Sequence, residues 1–201
     1  MDFGFTEEQR MVQEMARSFA EKEIAPFIEE DEKNHHYRRE ILSKMGELGL
    51  LGWNIPEEYG GNGMGWMEGV TALYEIAKVH TSWRLSISGN CWGPAMTILE
   101  YGTEEQKAKY IPDLVSGKAV GSFAMTEANS GSDVGSMKMF AQDKGDHWLI
   151  NGSKMWISGG HVSDTGLLYT CTTEGGGPKG LSCFIIDYNN TPGITRLPIH
   201  E

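Results

Sequence analysis

Two hydroxyls, Thr126 and Ser132, sit around the small-residue turn Ser130-Gly131-Ser132 in the run Ala124-Met-Thr-Glu-Ala-Asn-Ser-Gly-Ser-Asp-Val-Gly-Ser136. Gly131 has no side chain, so the backbone can come close to a ligand there. The N–H groups and hydroxyls of such a loop can then take an anionic or carbonyl-rich group. Composition alone also allows a plain surface turn. A second element about thirty residues on, Lys154-Met-Trp-Ile-Ser-Gly-Gly160, argues for the ligand: the Trp156 indole offers a large flat apolar face beside polar neighbours. A third feature is Arg84, the one charged residue between Lys78 and Glu100 with His80 taken as neutral. Its surroundings are apolar or small: Trp83, Leu85, Ile87, Cys91, Trp92, Met96 and Ile98. A guanidinium in such a place needs a carboxylate or several acceptors. It is either exposed, paired within the protein, or an anion clamp, since arginine grips carboxylates in a bidentate fork.

The elements that carry these residues change character along the chain. Thr6 with Gln9 is a capping-box pattern, and Met11, Met15 and Phe19 with Val12, Ala16 and Ala20 form an apolar stripe at helical spacing. Pro26 marks the end of that helix or a kink near it. Further helices are predicted over about 37–48, stopped by Gly49, over 67–79 and over 83–101. Another starts at the Thr103/Gln106 capping box and fades at Gly117. The segment 56–65, with Gly60, Gly61 and Gly63, reads as a loop. From Val120 on, strands are predicted over 120–125, 138–142, 147–150, 154–157, 166–172 and 181–187. Asp143-Lys-Gly-Asp146 and Asn151-Gly152 are hairpin signals, the latter favouring a type I′ turn. The fold class is therefore α+β: an all-α helical domain over 1–118, then a β domain over 119–201, expected to be an antiparallel barrel or sandwich. That β domain is expected to be incomplete at residue 201.

The 201 residues are 39% hydrophobic, enough to bury a core, and carry a formal net charge of −11. That charge argues against nucleic acid and anionic membrane as partners. No apolar run is long enough for a membrane span. The three cysteines, Cys91, Cys171 and Cys183, have no CxxC spacing and suit reduced thiols. The acidic start is neither a signal nor a transit peptide, which favours a bacterial cytoplasm, or a mitochondrial matrix if a transit peptide has been removed. His35-His36 lacks a second ligand pair, so no metal site is expected. The eleven methionines read as core, and Cys91 as packing rather than a nucleophile. The loop 174–180 lacks the Gly-Lys-Ser/Thr of a phosphate-binding P-loop.

Four motifs in order make the chain resemble the acyl-CoA dehydrogenase family: Pro56-Glu-Glu-Tyr-Gly-Gly-Asn-Gly63, Tyr101-Gly-Thr-Glu-Glu-Gln-Lys-Ala-Lys-Tyr-Ile-Pro112, the Ala124–Ser136 signature and Trp156-Ile157-Ser158. The resemblance implies FAD. Phe123, Met125 and Thr126 would edge the isoalloxazine, Ser132 with Gly131 would reach the pyrophosphate, and Ser132 would also touch substrate. Trp156 would pack on the flavin, with Ile157 beside it and Ser158 near N5. Preorganised donors suit the charge that a reduced flavin gathers. The family's reaction takes the α proton with a glutamate from a C-terminal helical domain and passes the β hydride to the flavin. That glutamate is expected beyond residue 201; Glu127 and Glu201 are not assigned as bases, and Glu127 is expected to support the loop.

Trp83-Arg84-Leu85-Ser86 is similar to the Tyr-Arg-Ser segment of glutaryl-CoA dehydrogenases, which implies that Arg84, with Leu85, contacts the distal end of a dicarboxylyl-CoA. Ala77 stands where decarboxylating members carry an acidic residue, which points to oxidation to glutaconyl-CoA without loss of CO2. The implied partners are an acyl-CoA substrate, electron-transferring flavoprotein and three further copies in a homotetramer. The alternatives are a short-chain monocarboxylic acyl-CoA dehydrogenase, an oxidase relative that reduces O2, and a non-catalytic acyl-CoA-binding relative or fragment.

Overall fold

A computed structural model of the protein describes residues 4–175 and 177–199. The backbone divides into two compact units, with the break between Val120 and Gly121.

The first unit is helical: α1 (Glu7–Phe19), α2 (Ile28–Asn34), α3 (Arg39–Glu47), α4 (Trp66–Val79), α5 (Thr81–Asn90), α6 (Met96–Tyr101) and α7 (Glu104–Val115). Thr6 and Thr103 both close the expected reciprocal capping boxes, with Gln9 and Gln106, and so satisfy donors that a helix start leaves orphaned. Val12, Ala16 and Phe19 of α1 are buried, as are Ala72, Leu73 and Ile76 of α4, the helix it packs on. Gly69 of α4 lets the Trp53 ring in: a Cβ there would lie 2.2 Å from the indole. The predicted helix over 83–101 is broken. Pro94 has no N–H to donate, and the chain passes through a π turn, Cys91–Ala95, between α5 and α6. Likewise the chain after α1 continues through a π turn (Ala20–Ile24) and a short 3₁₀ segment holding Pro26, rather than stopping.

The second unit is a five-stranded sheet: β1 (Gly121–Ala124), β2 (Phe140–Asp143), β3 (Trp148–Asn151), β4 (Thr165–Cys171) and β5 (Leu181–Asp187). The expectation of an antiparallel barrel or sandwich is corrected: the sheet is mixed. β4 pairs antiparallel with β5 along its length, but parallel with β1 and, at Cys171, with β2. Only β2 with β3 and β4 with β5 are antiparallel. The reason lies in the connections: the long excursion between β1 and β2 returns the chain to β4 in its original direction. The Asp143–Asp146 turn forms, with the Gly145 amide donating to Asp143 at 2.7 Å. The expected strand over 154–157 does not form. Trp156 there has φ +62, the left-handed region that no strand tolerates, so Asn151-Gly152 closes no hairpin. Ala124, Met139, Leu168 and Ile186 form a core cluster of the sheet unit, with Ile150, Ile157 and Phe184 packed against it. Among the described residues no helix is long and apolar enough to cross a membrane.

Candidate functional site

The register of β4 explains why the signature segment is a loop. β1 runs beside β4 as far as Ala124 opposite Leu168, and β2 joins it at Phe140 opposite Cys171. Sixteen residues of chain thus cover three residues of β4, and the surplus, Met125 to Met139, must bulge outward. Polar contacts close the base of this excursion. Glu127 and Ser130 exchange backbone hydrogen bonds at 2.9 and 3.2 Å. The Glu127 carboxylate accepts from the Lys138 amide at 2.7 Å, the Met139 amide at 2.9 Å and the Lys154 ammonium at 2.8 Å. Lys154 also donates to the Met125 carbonyl at 3.0 Å, and the Met155 amide to the Thr126 carbonyl at 2.9 Å. Both charged side chains are almost sealed from water, at 6% and 5% exposure. Burial works to raise the Glu127 carboxyl, but the Lys154 ammonium and the two amides hold it below the ordinary carboxylate range.

These contacts bring the signature loop and the tryptophan segment together. Trp156 is 66% exposed despite its size, while its neighbour Ile157 packs into the core cluster. Ile157 is thus an inward anchor that displays Trp156 and Ser158 outward. Phe123 is half-exposed on β1 and rests on the Tyr169 ring of β4, centroids 4.9 Å apart. Met125 and Thr126 are partly exposed, and Gly131, Ser132 and Ser158 lie open on the surface. Gly131 has an ordinary backbone conformation, and a Cβ there would meet nothing within 4 Å. No close approach within the chain calls for glycine at that position, and the backbone there is open to the surface. Among the described residues no hydrogen bond reaches the hydroxyls of Thr126, Ser132 or Ser158. A flat exposed indole, a Gly-opened loop and three free hydroxyls fit a planar, polar-edged cofactor with a phosphate-bearing tail.

The Lys154–Glu127 tie was not anticipated as a site device, although it left a signal. Glu127 is the one charged residue between Lys118 and Asp133, and Lys154 the one between Asp146 and Asp164 with histidines neutral. Two lone charges of opposite sign in small and apolar stretches ask for each other.

In the helical unit, Arg84 lies in the first half of α5, beside the buried Trp83 and ahead of the buried Ile87. It is half-buried, and among the described residues its guanidinium has neither an ion pair nor a hydrogen bond; only its carbonyl is engaged, accepting from Ser88 at 3.1 Å. Leu85 beside it is exposed. The Trp83 ring stacks on Tyr37 at 5.3 Å, and the Tyr37 hydroxyl meets Ser86 at 3.3 Å, which fixes the turn that carries Arg84. Cys91 is fully buried, and burial pushes its thiol up to about 12, so it packs and does not attack. Among the described residues no group of three His, Cys, Asp or Glu could hold a metal. Glu201 lies outside the described residues.

The family model for the acyl-CoA dehydrogenase N-terminal domain matches residues 6–118, and that for the middle domain residues 122–201. The chain belongs to the acyl-CoA dehydrogenase family. It is 45% identical over 197 residues to a glutaryl-CoA dehydrogenase of Desulfococcus multivorans, covering 96% of this chain and 51% of that protein. Among solved structures, a glutaryl-CoA dehydrogenase in complex with glutaryl-CoA matches with TM-score 0.96 at 42% identity, over 100% of this chain and 52% of the other. A glutaryl-CoA dehydrogenase from Mycobacterium smegmatis in complex with FADH2 matches with TM-score 0.90 at 28% identity, over 98% and 49%. The chain spans about half the length of the curated relatives it matches.

Proposed function

We propose that this chain supplies the flavin contacts and the acyl-end contact of a FAD-dependent acyl-CoA dehydrogenase acting on glutaryl-CoA or another dicarboxylyl-CoA. The observation that carries the substrate class is Arg84. Arg84 is a partly buried residue whose guanidinium has no carboxylate partner among the described residues, and the distal carboxylate of the acyl group has the matching fork. Similarity to a glutaryl-CoA dehydrogenase and to a solved glutaryl-CoA complex supports the same class.

In this reading Phe123, Met125, Thr126, Gly131, Ser132, Trp156, Ile157 and Ser158 hold FAD, Ile157 through its backbone because its side chain faces the core. Trp156 covers an apolar ring face and shields it from water. The free hydroxyls of Thr126 and Ser158 offer donors to the polar edge, and Ser132 with the open backbone at Gly131 takes the phosphates. Bound FAD supplies the acceptor for the hydride that leaves the acyl β carbon. Arg84, with Leu85, fixes the far end of the acyl chain, which sets the reacting carbons in register. No residue of this chain is given the role of base. Ala77 supplies no acid to the leaving carboxylate, so the product is glutaconyl-CoA with its carboxylate retained. Electron-transferring flavoprotein as acceptor and a homotetrameric state belong to the same reading and rest on family membership; bacterial relatives favour a cytoplasmic setting, and mitochondrial relatives keep the mitochondrial matrix as its alternative.

Anaerobic titration of the full-length, FAD-loaded protein, which carries the base as well, with glutaryl-CoA and with butyryl-CoA, followed by flavin bleaching, tests it. Bleaching by glutaryl-CoA that is lost in Arg84→Ala is expected. Bleaching by butyryl-CoA alone would return Arg84 to a structural role and favour the monocarboxylic enzyme. Stoichiometric crotonyl-CoA in the product mixture would overturn the non-decarboxylating outcome.

A further inference from the structure

The Trp156 backbone has φ +62, a conformation that a bulky L-residue adopts at a cost. Such strain persists only where the surroundings over-determine it. The indole, 66% exposed, cannot do this through its own packing. The determinants lie on either side. After Trp156, Ile157 is set in the core, and its carbonyl accepts from the Gly160 amide at 2.9 Å to close a turn. Before it, the Met155 amide is bound to Thr126, and the Lys154 side chain reaches back beneath the loop to Met125 and Glu127. Glu127 in turn fixes the amides of Lys138 and Met139, where the excursion rejoins the sheet. One buried ion pair therefore ties together the start of the loop, its end and the tryptophan segment. Neither charge reaches the surface, where it could meet substrate or partner.

We propose that the Lys154–Glu127 pair is a positioning device for the cofactor face: it clamps the base of the 125–139 excursion to residues 154–158 and so holds Trp156 in its outward, left-handed pose. This rests on the flavin reading of Trp156 given above. Lysine suits the task because one ammonium has three donors, enough for a carbonyl and a carboxylate at once. A buried pair of this kind can be replaced by neutral groups with little loss of stability, and its value then lies in specifying one arrangement.

The test uses the double variant Lys154→Met with Glu127→Gln, which removes both charges together and keeps an acceptor oxygen for one of the two amides. In protein labelled with 5-fluorotryptophan, the ¹⁹F resonance of Trp156 is assigned by its loss in Trp156→Phe. In the double variant that resonance is expected to shift and broaden while the resonances of the other tryptophans stay in place. FAD is expected to bind about tenfold more weakly or worse. Made in a Trp156→Gly background, the same change should alter FAD affinity by no more than about twofold, since the residue it positions is gone. An unmoved Trp156 resonance overturns the proposal. So does an equal loss of FAD affinity in both backgrounds, the signature of a merely structural pair. If the double variant fails to fold, Lys154→Arg, which keeps the charge but changes its reach, is judged on the same resonance and the same affinities. If the unmodified protein binds no FAD, the flavin reading fails, while the ¹⁹F spectra still decide whether the pair sets the tryptophan.

Discussion

The helical unit and the sheet unit each bury a carboxylate, and the two carboxylates do different work. Glu75 is 1% exposed on α4 and is met by Arg17 at 3.1 Å, Lys78 at 3.0 Å and Gln13 at 2.9 Å, with both cations about half in water. It joins two helices whose own backbone bonds already fix their shape, so the contact adds to an arrangement set by Val12, Ala16, Phe19, Leu73 and Ile76. Glu127 joins segments with no regular backbone pairing: the loop start, the loop end and the tryptophan stretch. Regular elements leave few donors unsatisfied and can take a polar tie as a supplement. An irregular loop has to satisfy its amides some other way, and there the charged group defines the geometry.

Truncating each network at one partner separates the two carboxylates most strongly. Glu127→Ala leaves a sealed ammonium without its counter-charge, held by the Met125 carbonyl alone, and two amides without their acceptor, and should cost about 3–5 kcal/mol of unfolding free energy in denaturant titration. Arg17→Ala leaves Glu75 with Lys78 and Gln13, and removes a partly solvated partner; a clearly smaller loss is expected. Equal losses would mean that the loop is held by something other than the pair.

Acid separates the carboxylates differently. The hydrogen bonds from Arg17, then those from Lys78 and Gln13, hold the Glu75 carboxyl at about 2 against the burial that opposes them. Its folded value lies below its ordinary value of 4.5, so its contribution is complete above that pH. It is lost progressively as pH falls toward about 2. Glu127 is lowered too, so its contribution also fades in acid. Thermal unfolding followed across this range should show Glu75→Gln flattening the acid limb. A limb unchanged by Glu75→Gln would assign the acid loss to other carboxylates.

What could be read from sequence follows the same division. Capping boxes, apolar stripes and Gly stops are local signals, and α1, α3, α4 and α7 lie where those signals put them. Pro94 was visible, but the π turn that absorbs it depends on packing around Cys91 and Ala95. The apolar run at Met155–Ile157 read as a strand because alternation cannot reveal that its middle residue is left-handed and faces water. Strand direction was equally hidden, since it follows from where the chain rejoins β4. Phe123, Thr126, Ser132 and Trp156 were singled out through motif and residue chemistry, and the structure leaves each of them at least partly exposed. Glu127 was expected to support the loop, but Lys154 was not recognised as its partner, because sequence spacing does not show that the two meet.

A milder perturbation tests how far the helical unit depends on its local signals. Thr103→Ala removes the side-chain acceptor for the Gln106 amide and opens the reciprocal bond back to the Thr103 amide. A loss of about 1 kcal/mol is expected in chemical denaturation, with no change in FAD affinity. Weaker FAD binding in this variant would mean that α7 has a bearing on the cofactor that its cap position does not suggest.

The smallest stability change, and the most telling one, belongs to Trp156→Gly. The left-handed pose costs a non-glycine residue about 1–2 kcal/mol. Glycine removes that cost and adds about 0.5–1 kcal/mol of unfolded-chain freedom. The indole buries little apolar area, since two-thirds of it is already exposed. The variant should therefore be as stable as the parent or more so by up to about 1 kcal/mol, while FAD affinity falls because the flat apolar face is gone. Greater stability together with weaker cofactor binding is what strain held for function produces. A variant less stable than the parent would show that the tryptophan packs for the fold, and the contrast between a self-sufficient helical unit and a sheet unit strained at its proposed cofactor face would lose its main support.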